Sequence, residues 1–223
     1  MKKLPDKDLE SIIKDSDLSS LLKDYSEIIV DSFIEEGVIK ELPIIGTIIG
    51  LVNFSNSLNQ HFTTKKLCKF LIQLDKIPIE KRRRKINEIN SSNKYASSVG
   101  ETILEILDKI DTDGKPELIG RIFAAFIEER IDYKTFLKIS YIIKSIFYLD
   151  LIELRELYDG HYVNGNIEDI LIIYGLVKLD MNFTEQFESS LDLGNSEDQH
   201  FIESKKPTLT QLGKLIIEIG MPK

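Results

Sequence analysis

The chain has 223 residues, 42% of them hydrophobic and 30% charged, with no tryptophan, one cysteine and a formal net charge of −8. That balance suits a chain able to bury a core and excludes a disordered polymer. The lone thiol, Cys68, excludes an intrachain disulfide and fits a reducing, cytoplasmic setting. Two lysines at the start are followed by acids rather than an apolar run, so no secretory leader is expected.

In chain order, DLSSLLKDYSEIIVDSFIEEG places Leu18, Leu21, Leu22, Tyr25, Ile28 and Ile29 at helical spacing and stops near Gly37. ELPIIGTIIGLVNF follows, apolar and free of charge after Glu41. TKKLCKFLIQLDKIP is amphipathic, with Leu67, Phe70, Leu71 and Leu74 inward, and ends at Pro78. After EKRRRKINEI and a polar SSNKY connection, SVGETILEILDKI carries one stripe of Val99, Ile103, Ile106, Leu107 and Ile110. KPELIGRIFAAFIEERI begins with Pro116 in its first turn and stacks Leu118, Ile119, Ile122, Phe123 and Phe126. DYKTFLKISYIIKSIFYL takes Asp132 as its cap and presents Phe136, Leu137, Ile143 and Phe147 on a broad apolar face. LDLIELRELYDG closes at Gly160.

The last third changes texture. NIEDILIIYG gives a short helix, LVKLD an extended piece, and a long acidic excursion leads to PTLTQLGKLIIEIG with Thr210 as a cap. Helix, strand, loop, strand, helix is the order of a winged-helix module. The predicted fold is therefore all-α: an antiparallel helical bundle with a small winged-helix-like C-terminal module. Its parts are N-terminal helices over 1–41, a bundle with apolar and basic segments over 42–160, and the module over 161–223.

Charge is unevenly distributed. Residues 65–85 carry nine basic and two acidic side chains, whereas residues 86–223 carry 14 basic and 24 acidic ones. Lys81, Arg82, Arg83, Arg84 and Lys85 are consecutive cations lying downstream of the uncharged 42–64 segment. Ile44, Ile45, Ile48, Ile49 and Leu51 supply a candidate apolar contact and the five cations a candidate basic contact. Together they suit an anionic membrane surface or a partner protein. Phosphates of a nucleic acid would suit the cations alone. Pairing with the chain's own acids, or a solvated helix face, is the structural alternative for the cations. The dense apolar part, 42–52, falls short of the ~20 residues a spanning helix needs, so a core helix or hairpin is the structural alternative there. Gly46 and Gly50 fit close helix contact in either medium.

The C-terminal module reads poorly as a DNA reader. Its candidate recognition helix IEDILIIYG has two acids and no cation, and Glu185, Glu188, Asp192, Glu197, Asp198 and Glu203 follow. DKIDTDGKPELIG fails as a calcium loop, because Lys109 and Gly120 fall where ligating carboxylates belong, and the segment is better explained as a turn before a helix. His61, His161 and His200 have no metal spacing, and no phosphate loop, dinucleotide fingerprint or nucleophile elbow is present. No catalytic residue, metal or cofactor is assigned, and a non-enzymatic protein is expected.

In layout, the succession ELPIIGTIIG, KKLCKFLIQLDKIP, ILEILDKIDTDGKPELIGRIFAAFIEERIDYKTFLKISYII, LIIYGLVKLD and PTLTQLGKLI resembles bacterial abortive-infection alpha-type proteins. Its central helices resemble tellurite-resistance TerB-like domains. The resemblance spans roughly residues 37–220. It implies an effector of phage defence or stress response, cytoplasmic or peripheral at the inner membrane face. TerB-like metal sites use acids, and Asp108, Asp111, Asp113 and Glu117 occupy a comparable connection, but no ligand is carried over. A regulator binding nucleic acid through 81–85 and a soluble scaffold that oligomerises through 42–54 are the competing expectations.

Overall fold

The computed structural model describes residues 5–19, 48, 57–161, 169–181 and 205–222. The described chain is mostly helical, with a single antiparallel pair of strands. Helix α1 spans Pro5–Asp15, α2 Ser57–Ile72, α3 Ile79–Asn90, α4 Val99–Asp108, α5 Lys115–Ile127, α6 Tyr133–Ser145, α7 Tyr148–Asp159 and α8 Asp169–Ile173. Strands β1 (Val177–Met181) and β2 (Lys205–Leu209) follow, then α9 (Gln211–Leu215), which runs into a π-helical turn at Ile216–Gly220. Apart from Leu18, the residues named for the predicted helix over 18–37 lie outside the described residues.

Helix α5 is the axis of the molecule. Pro116 stands in its first turn, where a missing N–H costs nothing, and the helix is buried on nearly every side, not on one stripe alone. It packs against α2, α3, α6 and the π-helical turn, so neighbours cover the face that the periodicity left open. The stripes read from sequence in α2, α4 and α5 are inside: Leu67, Phe70, Leu71 and Leu74, then Val99, Ile103, Ile106, Leu107 and Ile110, then Leu118, Ile119, Ile122, Phe123 and Phe126. Rings run through this core in contact, from Phe70 to Phe123 at 5.5 Å, Phe123 to Phe136 at 5.1 Å, and Phe126 to Tyr133 at 5.1 Å. Each ring buried in this way is worth about 1.5–3 kcal/mol relative to exposure.

Local signals set the helix ends. Asp132 accepts from the Thr135 amide, Ser98 from the Glu101 amide, and Gly160 closes α7 with a left-handed φ of 79°. Phe147 departs from expectation: it is the residue that starts α7 and is 60% exposed, because the chain breaks helix at Ile146, which takes the inward position instead.

The TLTQLG turn is a joint. Thr210 Oγ1 accepts from the Gly213 amide at 3.1 Å and donates to the Gly175 carbonyl at 2.6 Å, while the Thr210 amide donates to Leu176 O at 3.0 Å. Strand β2 thereby returns to the start of β1, in the register Val177 opposite Leu209. The π-helical turn then seats Ile216, Ile217 and Ile219 against α5, and Arg121 Nη1 donates to Gly220 O at 2.8 Å. A Cβ at Gly213 would stand 2.3 Å from the Leu176 carbonyl oxygen, a backbone atom with no room to retreat.

Two substitutions test this joint by urea denaturation. Thr210→Val, which loses the cap, is expected to cost about 1 kcal/mol. Gly213→Ala is expected to cost about 1–3 kcal/mol through overpacking. Equal stability of Gly213→Ala and wild type would contradict the close approach.

Candidate functional site

The basic segment forms α3, an amphipathic helix whose inner residues are Arg82, Ile86 and Ile89. Four-and-three spacing thus puts a guanidinium on the apolar stripe. Arg82 is 2% exposed and donates to three main-chain carbonyls: Nη1 to Ile13 O at 2.7 Å, Nη2 to Ser16 O at 2.8 Å and Nε to Ile77 O at 3.1 Å. Ile13 and Ser16 belong to the end of α1, where carbonyls lack helical partners and the helix dipole is negative. Burial lowers the Arg82 pKa, and the charges of Asp17, Asp15 and Glu80 oppose that shift. A guanidinium stays protonated under such a load.

The other four cations face the chain's own acids. Arg83 meets Asp15 at 2.8 Å, Arg84 meets Glu129 at 3.3 Å, and Lys85 lies 2.8 Å from Glu88 and 3.0 Å from Glu129. Lys81 is half-buried and acts on Glu129 through its charge. Glu129 sits in the turn between α5 and α6 with φ 65°, a left-handed conformation that non-glycine residues adopt sparsely. The hydrogen bond from Lys85, and then its charge and that of Arg84, hold the Glu129 carboxyl below its ordinary pKa. Reciprocally, the Lys85 pKa is raised, chiefly by its hydrogen bond to Glu88.

The lysines of α2 behave alike. Lys65 pairs with Asp113 at 2.8 Å, Lys66 donates to Ile110 O at 2.6 Å, and Lys69 donates to Asp113 O at 2.8 Å and pairs with Glu117 at 3.5 Å. They clasp the α4–α5 loop from one side. Lys115, 1% exposed, holds it from the other through Asp111 at 3.0 Å, with Lys144 O at 3.4 Å. Burial pushes the Asp113 carboxyl up, but Lys65 and Lys69 outweigh it and leave the group below its ordinary value. Asp111 is lowered first by its hydrogen bond from Lys115. A cleft of about 570 Å³ opens here, lined by Phe62, Lys65, Lys66, Asp108, Asp111 and Asp113 among others. Oxygens that a cation would need already face ammonium groups, so the loop is a clamped turn. No cluster of three metal-ligating side chains occurs among the described residues.

Of the candidate apolar contact, Ile48 is described and fully buried in the core, whereas Ile44, Ile45, Ile49 and Leu51 lie outside the described residues. No helix among the described residues is long and apolar enough to cross a membrane. Exposed apolar side chains include Phe62 of α2 at 57%, beside the cleft at the α4–α5 loop, and a group around the α6–α7 corner: Tyr141 at 57%, Phe147 at 60% and Leu149 at 58%, with Ile173 of α8 at 75%. Tyr141 meets Tyr174 edge to face at 6.4 Å, which brings α8 to this corner, and Lys144 Nζ lies 5.1 Å from the Tyr141 ring centre. Sequence reasoning missed this corner because periodicity assigned Phe147 inward. Within the N-terminal helices expected over 1–41 it also left α1 undelimited, although Pro5 followed by Leu9, Ile12 and Ile13 is a start signal and a stripe.

Comparison of the chain with protein-family models, with curated proteins and with solved structures finds no significant match to any of them.

Arg82→Met is expected to destabilise the fold by about 2–4 kcal/mol, because two buried carbonyls and one half-buried carbonyl lose their donor. Arg83→Gln and Arg84→Gln should each change stability by less than about 1 kcal/mol. Chemical denaturation of the three variants checks the contrast.

The depressed carboxyls of Asp111, Asp113 and Glu129 fix the sign of an acid response. Their ordinary values are 3.8 for aspartate and 4.5 for glutamate, and the folded values lie lower. Their stabilisation is complete above those ordinary values and is lost as pH falls through the folded ones. Thermal melting should show no loss from these groups between about pH 6 and 8, and a fall below about pH 4 that Asp113→Asn diminishes.

Proposed function

We propose that the protein is a non-enzymatic interaction module whose contact surface is the α6–α7 corner. The observation that carries this reading is the exposure of Tyr141, Phe147, Leu149 and Ile173 around one corner, while the apolar stripes of α2, α4 and α5 are covered. Exposed aromatic and aliphatic groups near a cation are the composition of a protein-binding surface. The setting belongs to the same proposal: a cytoplasmic effector in bacterial phage defence or stress response, as the resemblance in layout implies. So does a winged-helix-like C-terminal module, which the α8, β1, β2, α9 order supports and which would serve as structure or protein contact.

Membrane and nucleic-acid readings of 81–85 are the weaker ones. Arg82 is occupied inside, and Lys81, Arg83, Arg84 and Lys85 share their surface with Asp15, Glu80, Glu88 and Glu129. Interleaved charge of both signs produces little net field on a polyanion. Arg82 is unsuited to a binding test, since its loss acts on folding. The Arg83→Glu/Arg84→Glu double variant is the proper probe. It should sediment with anionic vesicles to the same small extent as wild type, and a marked loss of pelleting would restore the membrane reading.

The interaction reading is tested by placing a photo-crosslinking amino acid at 147 or 173, with position 88 on α3 as control, and irradiating living cells. Discrete adducts at the corner and none at the control are expected. Adducts at neither corner position, or equally at all three, would remove the proposal.

A further inference from the structure

Lys65, Lys69, Lys85 and Lys115 are engaged by the chain's own acids. The lysines around α6 are not. Lys134 and Lys138 stand on the exposed line Lys134, Lys138, Tyr141, Ser145 of a helix that contains no acid, and Lys144 flanks that line with Nζ 5.1 Å from the Tyr141 ring centre. Lys94 joins them at the head of the helix, since Tyr95 meets Tyr133 edge to face at 4.8 Å and Lys94 Nζ lies 5.5 Å from the Tyr95 ring centre. Among the described residues none of these four lysines has a carboxylate at ion-pair distance. Two acids that feel their charge are already committed: Asp132 accepts from the Thr135 amide, and Glu105 pairs with Lys109. An unmatched basic ridge therefore runs along α6 in a chain of net charge −8. From Lys134 to Tyr141 it covers about 10 Å at 1.5 Å per residue, and the apolar group of Phe147, Leu149 and Ile173 lies beyond it.

We infer that the partner held at this corner is an acidic segment of another protein, a helix with carboxylates one turn apart followed by an aromatic or aliphatic anchor; the inference rests on the interaction reading above. Carboxylates four residues apart on such a helix repeat the spacing of Lys134 and Lys138. Ammonium groups without partners attract the segment and fix where it lies, while burial of Tyr141, Phe147, Leu149 and Ile173 supplies the affinity. A membrane surface or a nucleic-acid duplex also presents anions. Both are broad enough to extend over α7, which carries four acids against one arginine and repels them. A duplex would also leave Phe147 and Ile173 in water. A helix about 10 Å across lies along α6 and ends at the first turn of α7, so it meets the lysines and the apolar group without crossing the acidic helix.

Fluorescence anisotropy of the full chain with three labelled peptides of equal length tests this. One is an amphipathic helix with glutamates along one edge and leucines along another, the second has lysines in place of the glutamates, and the third is polyglutamate. The acidic amphipathic peptide should bind, more weakly as salt rises, and the basic one should not. Polyglutamate, which has no anchor, should bind about ten-fold more weakly. Lys134→Glu/Lys138→Glu and Phe147→Ser/Leu149→Ser, each folded by circular dichroism, should lose about ten-fold or more in affinity for the acidic peptide. Lys76→Glu/Lys214→Glu, an equal change of charge at exposed positions off the ridge, should bind as wild type does. Failure of the acidic peptide to bind overturns the inference, as do equal binding of the acidic and basic peptides and equal loss in the control variant. Pelleting of the wild type with anionic vesicles that Lys134→Glu/Lys138→Glu abolishes would replace the protein partner with a lipid surface. A chain that ignores the acidic peptide yet gives discrete adducts at 147 or 173 in cells would sink the acidic partner and leave the interaction reading standing. Loss of both signals would sink both.

Discussion

The fold depends on a guanidinium in the wrong place for a surface. Arg82 lies on the inner stripe of α3, and its three donors close the end of α1 and the turn before α3 at once. Without it, the last carbonyls of α1 would be buried beside Leu9, Ile12 and Ile13 with no partner, and a helix end buried in that way is costly. A lysine could satisfy these acceptors only in part, because the planar fork reaches three oxygens in different directions while an ammonium acts as a point charge. Once α1 is pinned, Glu10 can accept from the Gly100 amide at 3.0 Å and from Asn90 Nδ2 at 2.8 Å, which joins α1 to the beginning of α4 and the end of α3.

Electrostatics elsewhere in the molecule repeats the theme on a smaller scale. Cations of α2 and α3 hold the two turns that flank the central helix: the α4–α5 loop through Asp113 and Ile110, and the α5–α6 turn through Glu129. These are the places where the chain reverses around α5, and where the backbone is least supported by helical hydrogen bonds. Each exposed pair contributes little alone. Their value lies in position, since a clamped turn at either end fixes the axis and register of a helix that nearly every neighbour touches. Helix α6, by contrast, keeps its lysines outward and its aromatic rim open, so the same residue type closes the fold at one end and faces outward at the other.

The sequence was most legible where a single physical period governed. Apolar stripes of α2, α4 and α5, the caps Asp132 and Thr210 and the stop at Gly160 are local signals, and the structure uses each as read. The run KRRRK was legible as charge and not as destination. Five adjacent cations on a helix point in all directions, so one of them had to face inward, and the spacing to Ile86 and Ile89 marks Arg82 as that one. Phe147 shows the converse error. Extending the α6 period past its end at Ser145 assigned it inward, whereas the chain leaves the helix at Ile146 and turns the Phe147 ring out.

What the sequence determined by itself was the helical class, the approximate helix ends and the uneven placement of charge, because these follow from side-chain chemistry acting over a few residues. Only the tertiary structure decided which charges face one another. Lys65 and Asp113 are 48 positions apart, and Arg82 and Ile13 are 69 apart. No local period encodes such a meeting. It arises when α2, α3 and α1 are drawn onto α4 and α5 by burial of their apolar stripes, which brings distant cations, carboxylates and free carbonyls within bonding distance and leaves the α6–α7 corner uncovered.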